Sequence, residues 1–183
     1  MSVPPARVTF DSQAFTYLVN ATSGLYDPTA DPDRAVGEQS LAALRVFLHH
    51  PVIIVLPTVM AEVKAIGDAE KREAHLMFHR VHLVEFHLDR EKVDALARYY
   101  QRSHPGARRF QDCQVVAEAE LARIDFLLTF DPELIRHLDR RTGFVKLRTP
   151  AEFWQFMSVP PGSQPKWEPH STNPLSQATW WRW

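Results

Sequence analysis

Cysteine is nearly absent: the 183-residue chain has one, Cys113. A single thiol excludes an intramolecular disulfide and a multi-thiolate zinc cluster, and it points to a reducing compartment. Long hydrophobic runs are missing too. The longest pure apolar run is Val52 to Leu56, closed by Pro51 and Pro57, far short of the ~20 residues of a membrane-spanning helix. The first ten residues hold a proline pair and one arginine, without the charged start and long apolar centre of a secretory signal. Neither sign of charge dominates: 21 Lys and Arg stand against 22 Asp and Glu, a formal charge of −1. That excludes a bulk-basic nucleic-acid coat but leaves local patches open. Tryptophan is absent before residue 154. All five (Trp154, Trp167, Trp180, Trp181 and Trp183) fall in the last 30 residues, and five of the 14 prolines lie between Pro160 and Pro174.

What is there is ordinary globular material, 45% hydrophobic and 23% charged, which rules out wholesale disorder. The expectation is a soluble, cytoplasmic protein with one main domain over residues 1–157 and a Pro/Trp-rich tail over 158–183. Within the main domain, short apolar segments alternate with helical patterns. Arg7–Phe10, Val52–Leu56, Val81–Phe86, Phe126–Phe130 and Phe144–Leu147 read as strands. The helices are expected after Asp11 and over Gln39–His50, Pro57–Ile66, Ala69–Arg80, Arg90–Arg102, Asp112–Arg123, Pro132–Leu138 and Pro150–Met157. Residues Ala21–Gly37, with two Asp-Pro steps, read as a loop. Such alternation predicts a parallel α/β sheet with helices on both faces, and ligands at the carboxyl ends of its strands.

Four acids are expected to meet at that edge. Asp11 follows the first strand and Asp131 the Phe126 strand. Glu62 lies about one turn into the helix after Val52–Leu56, on one stripe with Val59, Val63 and Ile66. Asp112 opens the helix leading into the Phe126 strand, on a stripe with Val115, Val116 and Ala119. Taken singly, Asp11, Asp112 and Asp131 are each explained as helix N-caps. Glu62 is not, because an acid on an apolar stripe is costly to bury without a partner. Together, four carboxylates repel one another unless a cation intervenes. An all-oxygen donor set suits Mg²⁺ or Mn²⁺, which keep waters and accept phosphate oxygens.

The segments carrying these acids are Val-Thr-Phe-Asp11-Ser, Leu-Pro57-Thr-Val-Met-Ala-Glu62, Asp112-Cys-Gln-Val-Val-Ala-Glu-Ala and Leu-Leu-Thr129-Phe-Asp131-Pro-Glu-Leu. In that order they resemble the motifs of the PIN-domain family, over about residues 7 to 157. The resemblance implies a three-layer α/β/α fold with a central parallel sheet. It also implies a metal-dependent endoribonuclease, most often the VapC-type toxin of a toxin–antitoxin pair, with a cognate antitoxin and a homodimer. By that resemblance Asp11, Glu62, Asp112 and Asp131 form the catalytic and metal-binding quartet. Ser12 and Thr129 stand where the family often has a hydroxyl near the metals, and Glu133 is an accessory acid. The chain departs from compact members in the 51 positions separating Asp11 from Glu62 and in its tail.

Other features carry less. Arg102, Arg108 and Arg109 precede Asp112 and are candidates to hold RNA phosphates. Arg140, Arg141, Lys146 and Arg148 read as an exposed turn and edge strand. His75 and His79 have an i, i+4 spacing that can bind zinc, but without a third ligand they read as ordinary structural histidines. Cys113 reads as a small core residue. The tail's tryptophans are expected to be covered, by their own domain or by a second copy. A non-catalytic RNA- or protein-binding scaffold of the same fold is the alternative function. A phosphatase with an aspartyl nucleophile ranks last, since Asp11-Ser-Gln lacks the second Asp two residues on.

Overall fold

The computed structural model describes residues 5–50, 52–82, 84–103 and 109–183. Five strands, β1 (Val8–Phe10), β2 (Ile53–Val55), β3 (Val84–Glu85), β4 (Phe126–Leu128) and β5 (Lys146–Arg148), form one sheet. Every pairing is parallel and the order is β3-β2-β1-β4-β5. The helices are α1 (Ser12–Thr22), α2 (Arg34–His49), α3 (Pro57–Lys64), α4 (Ala69–His82), α5 (Arg90–Ser103), α6 (Phe110–Leu121), α7 (Pro132–Leu138) and α8 (Pro150–Met157). α2 packs on α1 and α8, while α5 packs on α6, and α3 touches both α1 and α6. The result is the expected three-layer α/β/α architecture. The central strands β1 and β2 are wholly buried, as apolar strands covered on both faces must be. Among the described residues, no helix is long and apolar enough to cross a membrane.

The strand order places a switch point at β1. The chain moves from β1 to β2 and β3 on one side, then returns to lay β4 and β5 on the other. In open α/β sheets the crevice for ligands lies where connections diverge in this way, beyond the carboxyl ends of the strands. Register brings those ends together: Phe10 pairs with Leu128, and the Asp11 N–H donates to the Leu128 carbonyl at 2.9 Å.

Two stretches differ from expectation. The expected Val81–Phe86 strand starts late, because α4 runs on to His82 and β3 covers only Val84–Glu85. The Ala21–Gly37 loop is shorter, because α1 runs on to Thr22 and α2 starts at Arg34. The Asp33 carboxylate caps α2 by accepting the Ala35 and Val36 N–H groups. The intervening chain carries a 3₁₀ turn, Pro28–Ala30, held against α2 at Gly37, where a Cβ would stand 2.3 Å from the Pro28 carbonyl oxygen. Gly24 leaves α1 at φ +71°, a conformation L side chains rarely adopt.

The tail is laid on the domain. The Lys166 and Trp167 N–H groups donate to the Leu48 carbonyl at 2.7 and 3.2 Å, and Asn173 Nδ2 donates to the Thr22 carbonyl at 2.9 Å. Leu175 and Trp181 are buried in the same core as β1 and α2. Trp181 Nε1 donates to the Leu175 carbonyl at 2.8 Å. The Arg45 guanidinium lies 4.6 Å from the Trp183 ring centre, and Trp183 meets Trp154 edge-on at 5.4 Å. Trp154 and Trp181 are thus buried by their own chain and Trp180 is half-buried, whereas Trp167 and Trp183 stay exposed, contrary to the expected cover.

Candidate active site

A pocket of about 510 Å³ opens at the switch point. Asp11, Ser12, Glu62, Arg109, Asp112, Phe130, Asp131 and Glu133 are among its lining residues. All four acids expected to converge therefore reach it, each from a different segment.

Asp11 and Asp131 are N-caps as well as pocket acids. Asp11 Oδ1 accepts the Ala14 N–H at 2.7 Å and starts α1. Asp131 Oδ1 accepts the Glu133 and Leu134 N–H groups at 2.8 and 3.1 Å and starts α7. Capping aims each carboxylate along its helix axis and leaves its second oxygen for other work. Asp112 is different. The cap position of α6 is Arg109, whose side chain makes no capping bond, and Asp112 lies within the first turn. There its negative charge is favoured by the helix dipole. Among the described residues, neither Asp112 nor Glu62 has a hydrogen-bonding or ion-pair partner, and both are half-buried.

The acids feel one another. Burial is the main cause that pushes the Asp11 carboxyl up to about 6. Hydrogen bonding from the Thr129 hydroxyl and the Ala14 amide opposes the rise, and the charges of Asp112 and Asp131 add to it. Asp112 is raised by burial first. Arg109 opposes this, and Asp131 and Glu62 reinforce it. These couplings tie all four acids into one electrostatic cluster.

Thr129 does not line the pocket. It is fully buried behind the acids, where its Oγ1 accepts the Asp131 N–H at 3.0 Å while the hydroxyl serves Asp11. One hydroxyl therefore braces the Asp11 carboxylate and the Asp131 backbone. Ser12 lines the pocket. Glu133 also lines it, but its carboxylate is engaged with Arg136 and, at 3.5 Å, His137. Arg109 stands at the rim. Arg102 is exposed near the end of α5, outside the pocket lining, and Arg108 lies outside the described residues.

Glu118 is an acid whose role the sequence reading missed. It is 1% exposed on α6, and its carboxylate accepts the Thr58 N–H at 3.0 Å and the Thr58 hydroxyl at 2.8 Å. Leu56, the cap residue of α3, has no side-chain bond to offer, so Glu118 caps α3 from another helix. That fixes the helix carrying Glu62. Arg90 approaches the same carboxylate at 3.5 Å. The available signal was an acid inside an otherwise apolar and small-residue stretch of α6.

His75 and His79 are buried on α4. His75 Nδ1 bonds the Lys71 carbonyl at 2.7 Å, and its ring packs edge-on against Phe15. Burial pushes the Cys113 thiol up to about 11, so it stays protonated at neutral pH and is no nucleophile.

Among the described residues, no group of three or more His, Cys, Asp or Glu side chains is gathered tightly enough to hold an ion by itself. The donor chemistry still suits one type of ion. Mg²⁺ needs only one or two direct carboxylates and completes its shell with waters and substrate phosphates. Asp112 and Glu62, half-buried without side-chain partners, beside Asp11 and Asp131, whose capping bonds each use one oxygen, in a pocket with room for water, match that pattern. Asp11, Asp112 and Asp131 are the residues that would hold it.

The fold and pocket define a parallel α/β protein with an acidic cleft at its topological switch point. No protein-family model and no curated protein matches the chain. Among solved structures it is similar to the crystal structure of FitAcB from Neisseria gonorrhoeae, at 14% identity and a TM-score of 0.45. The match covers 78% of this chain and 97% of that one.

Proposed function

We propose that this chain is a PIN-like endoribonuclease, dependent on Mg²⁺ or Mn²⁺, that hydrolyses RNA phosphodiester bonds as the toxin of a toxin–antitoxin pair. The observation that carries the reading is the cluster itself. Four carboxylates from four segments are mutually coupled in one pocket at the switch point, with Arg109 at its rim. Four acids in one pocket repel one another, and a bound cation removes that conflict.

Asp11, Asp112 and Asp131 would hold the ion, and Glu62 would reach it through water or orient the attacking water. The ion would supply positive charge against the negative charge developing on the phosphate and would make water easier to deprotonate. The protein's share is placement. The α1 and α7 caps and the Thr129 hydroxyl lock Asp11 and Asp131, while Glu118 locks the helix that presents Glu62. Arg109 offers a planar cation to a phosphate oxygen. Cleavage of unpaired RNA with Mn²⁺, lost in Asp112→Asn, is the expected result. Protein that cleaves no RNA under any divalent cation overturns the reading.

A specific observation favours the second reading, a non-catalytic scaffold: no ligand group is pre-gathered among the described residues. Calorimetric titration with Mn²⁺ separates the two. Heat that vanishes in Asp112→Asn supports the nuclease, and no binding at millimolar metal supports the scaffold. The catalytic unit is assigned to residues 1–157. An antitoxin partner and a homodimer belong to the same proposal. The dimer is checked by whether the particle mass in solution is twice the 21.1 kDa of the chain.

A further inference from the structure

The acidic pocket has one aromatic wall. Phe130 stands in the chain between Thr129, which braces two acids, and Asp131, which is one of them, and its half-buried ring lines the pocket. Tyr17 on α1 stacks on that ring, 5.2 Å between centres and 29° between planes. Tyr26 then meets Tyr17 edge-on at 5.5 Å. Tyr26 is itself tied down, because its hydroxyl donates to the Asp31 carboxylate. The segment carrying it is clamped at both ends, by the close approach of Gly24 to Pro174 and of Gly37 to Pro28. The three half-buried rings form a braced ladder running from the acids to the surface.

We infer that Phe130, backed by Tyr17, is a stacking platform for the nucleobase beside the scissile phosphate. This inference rests on the nuclease reading and adds the residue that holds the base. Among the described residues, Phe130 is the one aromatic lining the pocket; an aromatic ring offers nothing to phosphate, but it suits the flat face of a base. Arg109 and the acids engage the backbone, while the ring engages what hangs from it. Stacking accepts any base, so the platform adds affinity without reading sequence. A base in a duplex is already stacked on its neighbours and has to be extruded before it can reach the ring. The ladder is preorganised, so no side-chain ordering opposes the contact.

The test compares a short unpaired oligoribonucleotide with the same oligonucleotide carrying an abasic ribose beside the cleaved linkage, using wild type, Phe130→Leu and Phe130→Trp with Mn²⁺. Wild type is expected to prefer the intact substrate by about 5- to 150-fold in kcat/KM, the worth of one stacked base. Phe130→Leu keeps apolar volume without a π face, so the preference collapses toward unity through KM. Phe130→Trp restores it and shows that the fold is intact. Equal loss on both substrates in Phe130→Leu, or an unchanged preference, overturns the platform while leaving the nuclease standing. Wild type that cleaves neither substrate overturns the nuclease reading and the platform with it.

Discussion

Asp11→Asn separates what Asp11 does for the fold from what it does for the pocket. The carboxyl of Asp11 rises from 3.8 to about 6 in the folded chain. At about 1.36 kcal/mol per unit, holding it ionised costs the native state up to about 3 kcal/mol at neutral pH. The sign follows from the direction. The folded state holds the proton more tightly than the unfolded one, so stability is highest below the unfolded value and is lost as pH rises through 6. Asparagine caps a helix as well as aspartate does, so the bond to the Ala14 N–H survives. The Thr129 hydroxyl loses a charged acceptor, a loss of about 1 kcal/mol. The net expectation is a variant more stable than wild type by about 1–2 kcal/mol near pH 7.5, or a few degrees in Tm for a chain this size. The gain should vanish by about pH 4.5 as the wild-type carboxyl is protonated. Urea unfolding with a chelator present, across that range, reads it directly. The buried histidines, whose lowered values act oppositely in acid, cancel between the two proteins. An asparagine variant that is less stable at neutral pH, or a difference that does not change with pH, refutes the argument. The same variant is expected to cleave no RNA.

Divalent ions should stabilise the chain. Mn²⁺ at about 100 times its Kd should add about 2.7 kcal/mol to wild type and nothing to Asp112→Asn, checked by thermal unfolding with and without chelator. Glu118→Ala strands the Thr58 N–H in the interior, so it should destabilise by about 2–3 kcal/mol and weaken Mn²⁺ binding through displacement of Glu62, both measurable by denaturation and calorimetry. Trp181→Ala removes a buried indole whose N–H is bonded. A loss of about 3 kcal/mol is expected, where an undocked tail would show under ~0.5. Gly24→Ala sets a side chain at φ +71° with its Cβ 2.7 Å from that of Pro174. It should lose about 1–2 kcal/mol and loosen the tail to limited proteolysis.

Local chemistry was readable wherever it repeats along the chain. The β-branched run at Ile53–Val55 is a buried central strand because nothing in it can face water. Pro132 and Pro150 sit in the first turns of their helices, where a missing N–H costs nothing. The four acids were legible because each stands at a junction or on a stripe whose direction the helix period sets. The same logic misassigned Asp112 as a possible cap. The helix begins two residues earlier, at Phe110, and helix ends are set by packing as much as by sequence.

By itself, the sequence determined the alternation of strands and helices, the placing of the four acids at junctions and on a helix stripe, and the exclusion of a disulfide or a multi-thiolate zinc cluster, all of which depend on residue type and spacing. Only the tertiary structure decided the strand order, and with it the switch point that brings Asp11 and Asp131 side by side. It also decided that Glu118 caps α3 from another helix, that Tyr17 backs Phe130, and that the tail lies on α2. Each of these joins residues far apart in the chain. Such contacts form because they bury surface and satisfy donors that local segments leave open, and no local pattern names the partner in advance.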